Sequence, residues 1–312
     1  LLVDGDTAGF RGHVAEGALL CPLTAENGAA LRSRLPWLSP QPLGTQTSAG
    51  FGDRLGIATP GHIAAVAGTG VAPILAQQSV RENERTGRTP KSVLDDAMWG
   101  VFACDWREAW GADADHMKTL EHIQPFVDAG YTFFTIDPSD HVDDAADGDD
   151  LNTLAAKVQR LDWQTLDTSA AEAVERYQKR FPLDDRELTF DETTLYRALA
   201  KYGNAVTHTV RMARHLQAQL GGNGFDLEMS VDETQTTTSL HEHFYIVSEL
   251  RRLGVRCVSI APRFVGRFEK GVDYIGDLGE LEQNIAFRLE ALQRLGRAVL
   301  AGDKPGSDNR RR

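Results

Sequence analysis

From residue 44 onward, short apolar runs alternate with amphipathic stretches, and most of the runs end in polar residues. Six runs read as strands: Phe51–Ile57, Val71–Ser79, Gly111–His116, Tyr131–Ile136, Phe225–Glu233 and Val255–Pro262. Between them, apolar residues recur at helical spacing, as with Val93, Leu94, Ala97 and Met98. Helix starts are marked by Thr59-Pro60 and Thr89-Pro90, each an N-capping hydroxyl followed by proline at the first helical position. Ser239-Leu-His-Glu242 has the form of a capping box, and Gly130 and Gly254 stand where helices end. Phe190–Leu220 reads as one long amphipathic helix closed by Gly221-Gly222, and residues 279–300 as a last helix. Arg81–Arg88 reads as a charged loop.

Strands alternating with helices predict the α/β class, with a parallel sheet covered by helices. There is no GxGxxG after the first strand and no GxxxxGK[ST], which favours a (β/α)8 TIM-type barrel over a nucleotide-binding open sheet. About six of the eight β/α units are present, so the barrel is expected to be incomplete. Residues 1–43 read as a remnant of an N-terminal lobe. Residues 44–300 form the partial barrel, interrupted at 142–190 by an insertion over the barrel mouth. Residues 301–312 read as a disordered tail. Two exposed sheet edges leave such a chain open to pairing with another copy, a homo-oligomer.

Composition narrows the partners. The net charge of the 312-residue chain is −12, with an acidic stretch at Asp143–Asp150. That argues against nucleic acid or an anionic membrane as partner, but not against a small anionic substrate. No apolar run approaches the ~20 residues that span a bilayer, and Ala18–Cys21 is too short for a signal-peptide core. The three cysteines have no metal-like spacing and read as buried free thiols of a reducing compartment. The expected location is cytoplasmic. The chain does not begin with Met, so its natural start is expected upstream.

If the strands are parallel, their C-terminal ends gather Asp53-Arg54, Gln77-Gln78, Asp113-Asp115-His116, Asp137-Asp140-His141, Glu228-Ser230-Asp232-Glu233 and Arg263 at one mouth. Asp113 and Asp115 stand two apart and share a strand face. Two inward carboxylates are costly unless a cation lies between them or one takes a proton. Glu228, Ser230 and Asp232 also share a face, which reads as a wet pocket or an ion site. Imidazole with carboxylates, and no thiolate, suits a divalent metal cation such as Zn2+, Mn2+ or Ni2+. His116 is the first choice of ligand. His141 reads more readily as a solvent-facing loop residue, and His241 and His243 as surface or capping groups. Arg81–Arg88 could hold an anion but is at least as readily a solvated charged loop. Glu269-Lys270 reads as an ordinary surface pair.

These residues lie in runs that resemble the tagaturonate epimerase family of hexuronate catabolism. The runs are Phe51-Gly-Asp-Arg-Leu-Gly-Ile57, Ala76-Gln-Gln-Ser-Val-Arg-Glu-Asn-Glu-Arg-Thr-Gly-Arg88, Gly111-Ala-Asp-Ala-Asp-His116, Phe134-Thr-Ile-Asp-Pro-Ser-Asp-His141, Ser230-Val-Asp-Glu-Thr234 and Ala261-Pro-Arg-Phe264. The resemblance implies a metal-dependent isomerase that interconverts tagaturonate and fructuronate, sugar acids. It implies Asp115 as proton acceptor, His116 as metal ligand and Glu228 as proton donor. Further metal ligands are expected from strands that follow the last helix in the family. Leu300-Ala-Gly-Asp-Lys-Pro-Gly-Ser-Asp-Asn309 stands at that place here, without a histidine.

The two sugar acids differ at a carbon β to the ketone, whose C–H bond the carbonyl does not acidify. Its hydroxyl can be deprotonated instead, which allows retro-aldol cleavage, rotation of the aldehyde and re-addition. Arg263 with Gln77 or Gln78 is expected to hold the substrate carboxylate, and Asp137 to join the substrate-binding set. The alternatives are a metal-dependent aldose–ketose isomerase and an inactive sugar-acid-binding remnant.

Overall fold

The computed structural model of the chain describes residues 1–183, 186–221, 224–269 and 272–300. They form two compact units: Leu1–Ile136 with His215–Glu228, and Asp137–Arg214 with Met229 onward.

The first unit opens on a small antiparallel sheet of β1 (Leu2–Val3), β2 (His13–Ala15) and β3 (Ala18–Leu20), ordered β1-β3-β2. Helix α1 (Ala25–Arg34) follows, capped by the Thr24 hydroxyl. No helix was expected before residue 43, and the reason is visible. Two of the three residues α1 buries are Asn27 and Gly28. Asn27 replaces apolar contact with hydrogen bonds to the backbone of Arg11 and Pro22.

Then come β4 (Ser48–Gly50), α2 (Thr59–Val66), β5 (Ala72–Ser79), α3 (Val80–Thr86), α4 (Pro90–Ala103), β6 (Gly111–Met117), α5 (Leu120–Ala129) and β7 (Phe133–Ile136). β4, β5, β6 and β7 pair parallel in that order. Leu75, Ala112, Ala114 and Phe134 of the strands are buried, as are Ile63, Val66, Met98, Ile123 and Phe126 of the helices. Thr89 caps α4 in a capping box with Ser92, and Gly130 ends α5 in the left-handed conformation at φ 97°. Both match the sequence reading.

Three readings need correction here. Phe51–Ile57 is not a strand. The Asp53 carboxylate accepts hydrogen bonds from the backbone N–H groups of Leu55, Gly56 and Ala58, and this turn withdraws the backbone from any ladder. Helix α2 is capped by Ala58, with Thr59 already inside it. Arg81–Arg88 is not a loop either. The Ser79 hydroxyl accepts from the Glu82 N–H and starts α3, which the left-handed Gly87 ends at φ 66°.

The second unit holds α6 (Leu151–Gln159), α7 (Ala170–Tyr177), the antiparallel hairpin β8 (Arg180–Leu183) and β9 (Arg186–Thr189), and most of α8 (Glu192–Leu220). After Asp226–Val231 (β10) come α9 (Leu240–Arg252), β11 (Ser259–Pro262) and α10 (Leu278–Leu300). One apolar core joins Leu154, Val158, Tyr177, Leu195, Val206, Met229 and Ile246. Ser239 and Glu242 form the expected capping box at α9. His243, expected at the surface, is buried. Its Nδ1 lies 3.0 Å from Arg288 Nη1. One turn of a helix does not reveal which side a neighbouring helix covers. His241 Nε2 lies 3.0 Å from the Thr189 carbonyl.

Among the described residues the main sheet has six strands in the order β11-β10-β7-β6-β5-β4. The chain is thus an α/β protein, and among the described residues β4 and β11 are the outer strands of this sheet, as an incomplete barrel has them. All three cysteines are free thiols; Cys21 is buried, whereas Cys104 is exposed and Cys257 half-buried, against the expected burial. Among the described residues, no helix is long and apolar enough to cross a membrane. The expected tail 301–312, Gly222 and Lys270 lie outside the described residues.

Candidate active site

The inner face of the first unit's sheet carries acids at adjacent positions. Gln77 on β5 stands directly opposite Asp113 on β6 in the parallel register, and Asp113 stands opposite Phe133 on β7. Partners in register, and residues two apart on a strand, share a face. Gln77, Asp113, Asp115 and Thr135 therefore point the same way.

Asp113 is 2% exposed. Its Oδ1 accepts from the Thr135 hydroxyl at 3.0 Å and its Oδ2 from Gln77 Nε2 at 3.2 Å. Burial pushes its carboxyl well above the ordinary carboxylate range. The neighbouring charges of Asp115 and then Glu228 push it further, against the lowering effect of the two hydrogen bonds. Of these two acids, one lies on the same strand as Asp113 and the other on β10.

His116 closes the group. Its Nε2 lies 3.7 Å from Asp115 Oδ1, with both side chains about a quarter exposed. Its backbone adopts φ 54°, in the left-handed region that a residue with a Cβ rarely enters. The register of β6 with β7 shifts between Ala114 and Met117. The kink ends simple alternation, so His116 need not face away from Asp115.

The remaining expected residues are placed as follows. Gln78 is buried, and as the neighbour of Gln77 it faces the other side of the sheet. Asp53 serves its turn, and Arg54 pairs with Glu82. In the second unit, Asp137 is buried and accepts from the Ser139 N–H at 2.9 Å. Arg263 donates to the Asp232 carbonyl at 3.1 Å, and its own N–H donates to the Thr238 hydroxyl. On β10, Glu228 is half-buried and Ser230 buried. β10 ends at Val231, and Asp232 is exposed and accepts from the Ser230 hydroxyl at 2.6 Å. His141 stacks on His208 with ring centroids 4.2 Å apart, beside a cavity of about 560 Å³ lined by Asp140, Asp143, Asp144 and Gln235. Thr135 and Gly50 were missed, although a threonine inside Phe133-Phe-Thr-Ile136 is the one polar position of an apolar strand.

Fold and site together define a parallel α/β protein with two carboxylates, Asp113 and Asp115, on one sheet face and the His116 imidazole 3.7 Å from the second. The sequence model of the tagaturonate epimerase family matches residues 6–299, and the chain belongs to that family. The tagaturonate/fructuronate epimerase of Thermotoga maritima is 42% identical over 285 residues, which is 90% of this chain and 57% of that protein. A glycerol-complexed crystal structure of the fructuronate-tagaturonate epimerase from Cohnella laeviribosi matches with TM-score 0.87 at 37% identity. Its native crystal structure matches with TM-score 0.87 at 36% identity. Each covers 94% of this chain and is itself covered over 60% of its length. The chain therefore spans less than two thirds of the relatives it matches.

Proposed function

We propose that the chain carries the epimerisation of its family, the interconversion of tagaturonate and fructuronate, with a divalent cation as cofactor and its six β/α units as part of a (β/α)8 barrel. The observation that carries this reading is buried Asp113 on the strand face it shares with Asp115, with His116 Nε2 3.7 Å from Asp115 Oδ1. Asp115 and Glu228 would serve as the acceptor and the donor of a single proton relay.

A cation fits this donor set. The charges that act most strongly on Asp113 are two further carboxylates, an accumulation that a bound positive ion relieves. His116 would be a ligand, its imidazole and the nearby carboxylates being of the kind that divalent zinc, manganese or nickel takes. When bound, the cation would stabilise negative charge on the ketone oxygen.

Asp115 accepts the proton of the hydroxyl on the carbon to be inverted. The bond between that carbon and its neighbour toward the ketone breaks. Its electron pair passes into the enediolate, and the inverted carbon becomes an aldehyde. After rotation the same bond forms on the other aldehyde face, and Glu228 returns a proton to the new alkoxide. The C–H bond of the inverted carbon stays intact throughout.

The test incubates the chain with tagaturonate and a divalent metal salt and follows fructuronate. Expected are turnover that a chelator abolishes, and full retention of deuterium placed on the inverted carbon. Loss of that label would overturn the retro-aldol route. Solvent deuterium taken up next to the ketone would point to aldose–ketose isomerisation. Calorimetric binding of the uronate without turnover would assign a sugar-acid-binding role instead.

A further inference from the structure

Resting on that reading, the geometry points to Gln77 as a positioning residue, seated in a notch left by Gly50, that holds the inner carboxyl Asp113 rather than the substrate. Four neighbouring strands contribute one residue each: Gly50 on β4, Gln77 on β5, Asp113 on β6 and Thr135 on β7. The Gln77 amide donates to one oxygen of Asp113 and the Thr135 hydroxyl to the other. Both oxygens are thus fixed from opposite sides.

Gly50 explains how the amide fits. A Cβ built there would lie 2.7 Å from Gln77 Cδ and 2.8 Å from Nε2, closer than side chains approach. Gly50 is absent from the residues of left-handed backbone, so its φ does not demand glycine. A methyl there would meet the amide of Gln77, the far end of a flexible side chain, which would have to shift to admit it. An amide moved from this place would lose its bond to Asp113, and Asp113 shares a strand face with Asp115, the proposed proton acceptor. A displacement of about 1 Å in such an arrangement lowers a rate by about 10²-fold.

The two roles for Gln77 predict different kinetics. A ligand of the substrate carboxylate acts on KM; a residue that orients the acids acts on kcat. The experiment compares wild type, G50A, Q77A and the double variant for epimerisation, with circular dichroism to confirm folding. Each single variant is expected to lower kcat by about 10- to 100-fold with KM within about twofold. The double variant is expected to be no worse than Q77A, because the added methyl then enters vacated space. A raised KM with unchanged kcat in Q77A, or an unaffected G50A, would overturn the assignment. Should G50A not fold, Q77A alone decides by the same split.

Absence of turnover in wild type would be a failure of the proposed function, and infrared difference spectra then decide separately. The carboxyl band of Asp113 is the one lost in D113N. It is expected to shift in both Q77A and G50A; a band unmoved in either refutes the clamp.

Discussion

Replacing His243 by asparagine tests how the second unit's core holds an imidazole. Burial, and then the Arg288 guanidinium, push His243 down to about 4 from an ordinary value of 6.5. Arginine can only donate, so Nδ1 accepts from Arg288 at 3.0 Å and the ring proton sits on Nε2. A second proton would bring two donors face to face. The depressed value means that the folded protein resists protonation while the unfolded chain accepts it. The stability that follows is present above about pH 6.5 and is lost as pH falls toward about 4. At about 1.4 kcal/mol per pH unit, that interval is worth about 3 kcal/mol. H243N keeps an acceptor for Arg288 but does not titrate. It is expected to be less stable at neutral pH by about 1–2 kcal/mol for the lost ring volume. Urea denaturation of both proteins at intervals between about pH 7.5 and pH 4 measures the difference. The gap should close, and then reverse, on the acid side. A gap that stays constant across the range would refute the reasoning.

Three further outcomes follow from other buried acids. Glu249 accepts from the Tyr177 hydroxyl at 2.9 Å and from Arg252 at 2.7 Å, with Arg176 Nε at 3.2 Å. E249A should therefore destabilise by about 3 kcal/mol in chemical denaturation, because it strands buried partners. Asp113 titrates above the ordinary carboxylate range when folded. Its contribution is fully present below that range and is lost as pH rises through the raised value, so D113N should gain stability on wild type as pH rises; a difference that does not vary with pH refutes this. At Asp53, burial pushes the carboxyl up, but the N–H groups of Ala58, Gly56, Leu55 and Ile57 outweigh it and hold it low. D53A should cost about 2 kcal/mol at neutral pH and less as pH falls through that lowered value, read from thermal melts across the acid range.

The sequence disclosed what regular spacing and covalent chemistry encode. The helix start at Thr89-Pro90, the glycine stop at Gly130 and the strands around Gln77 and Asp113 are where their local signals put them. Asp113 and Asp115 could be assigned to one face because a strand has a period of two. Missed features depend on partners distant in sequence. Asn27 replaces an apolar contact with bonds to Arg11 and Pro22. Phe51–Ile57 has the composition of a strand, but the Asp53 carboxylate takes its N–H groups. Gly50 looks like any loop glycine until the Gln77 amide is seen against it. His243 is two residues from His241 on the same helix, and only Arg288 of another helix tells them apart.

The left-handed backbone of His116 also governs how its substitutions must be interpreted. Alanine would delete the ring yet inherit an unfavourable main-chain angle, at about 1–2 kcal/mol. Scanning mutagenesis would thus mix lost chemistry with conformational tension. Glycine deletes the ring and frees the angle, while asparagine tolerates the angle and offers a weaker donor atom. Only the three together separate what the imidazole does from what its location imposes. Tolerated drift at this codon should be confined to residues at ease in that conformation.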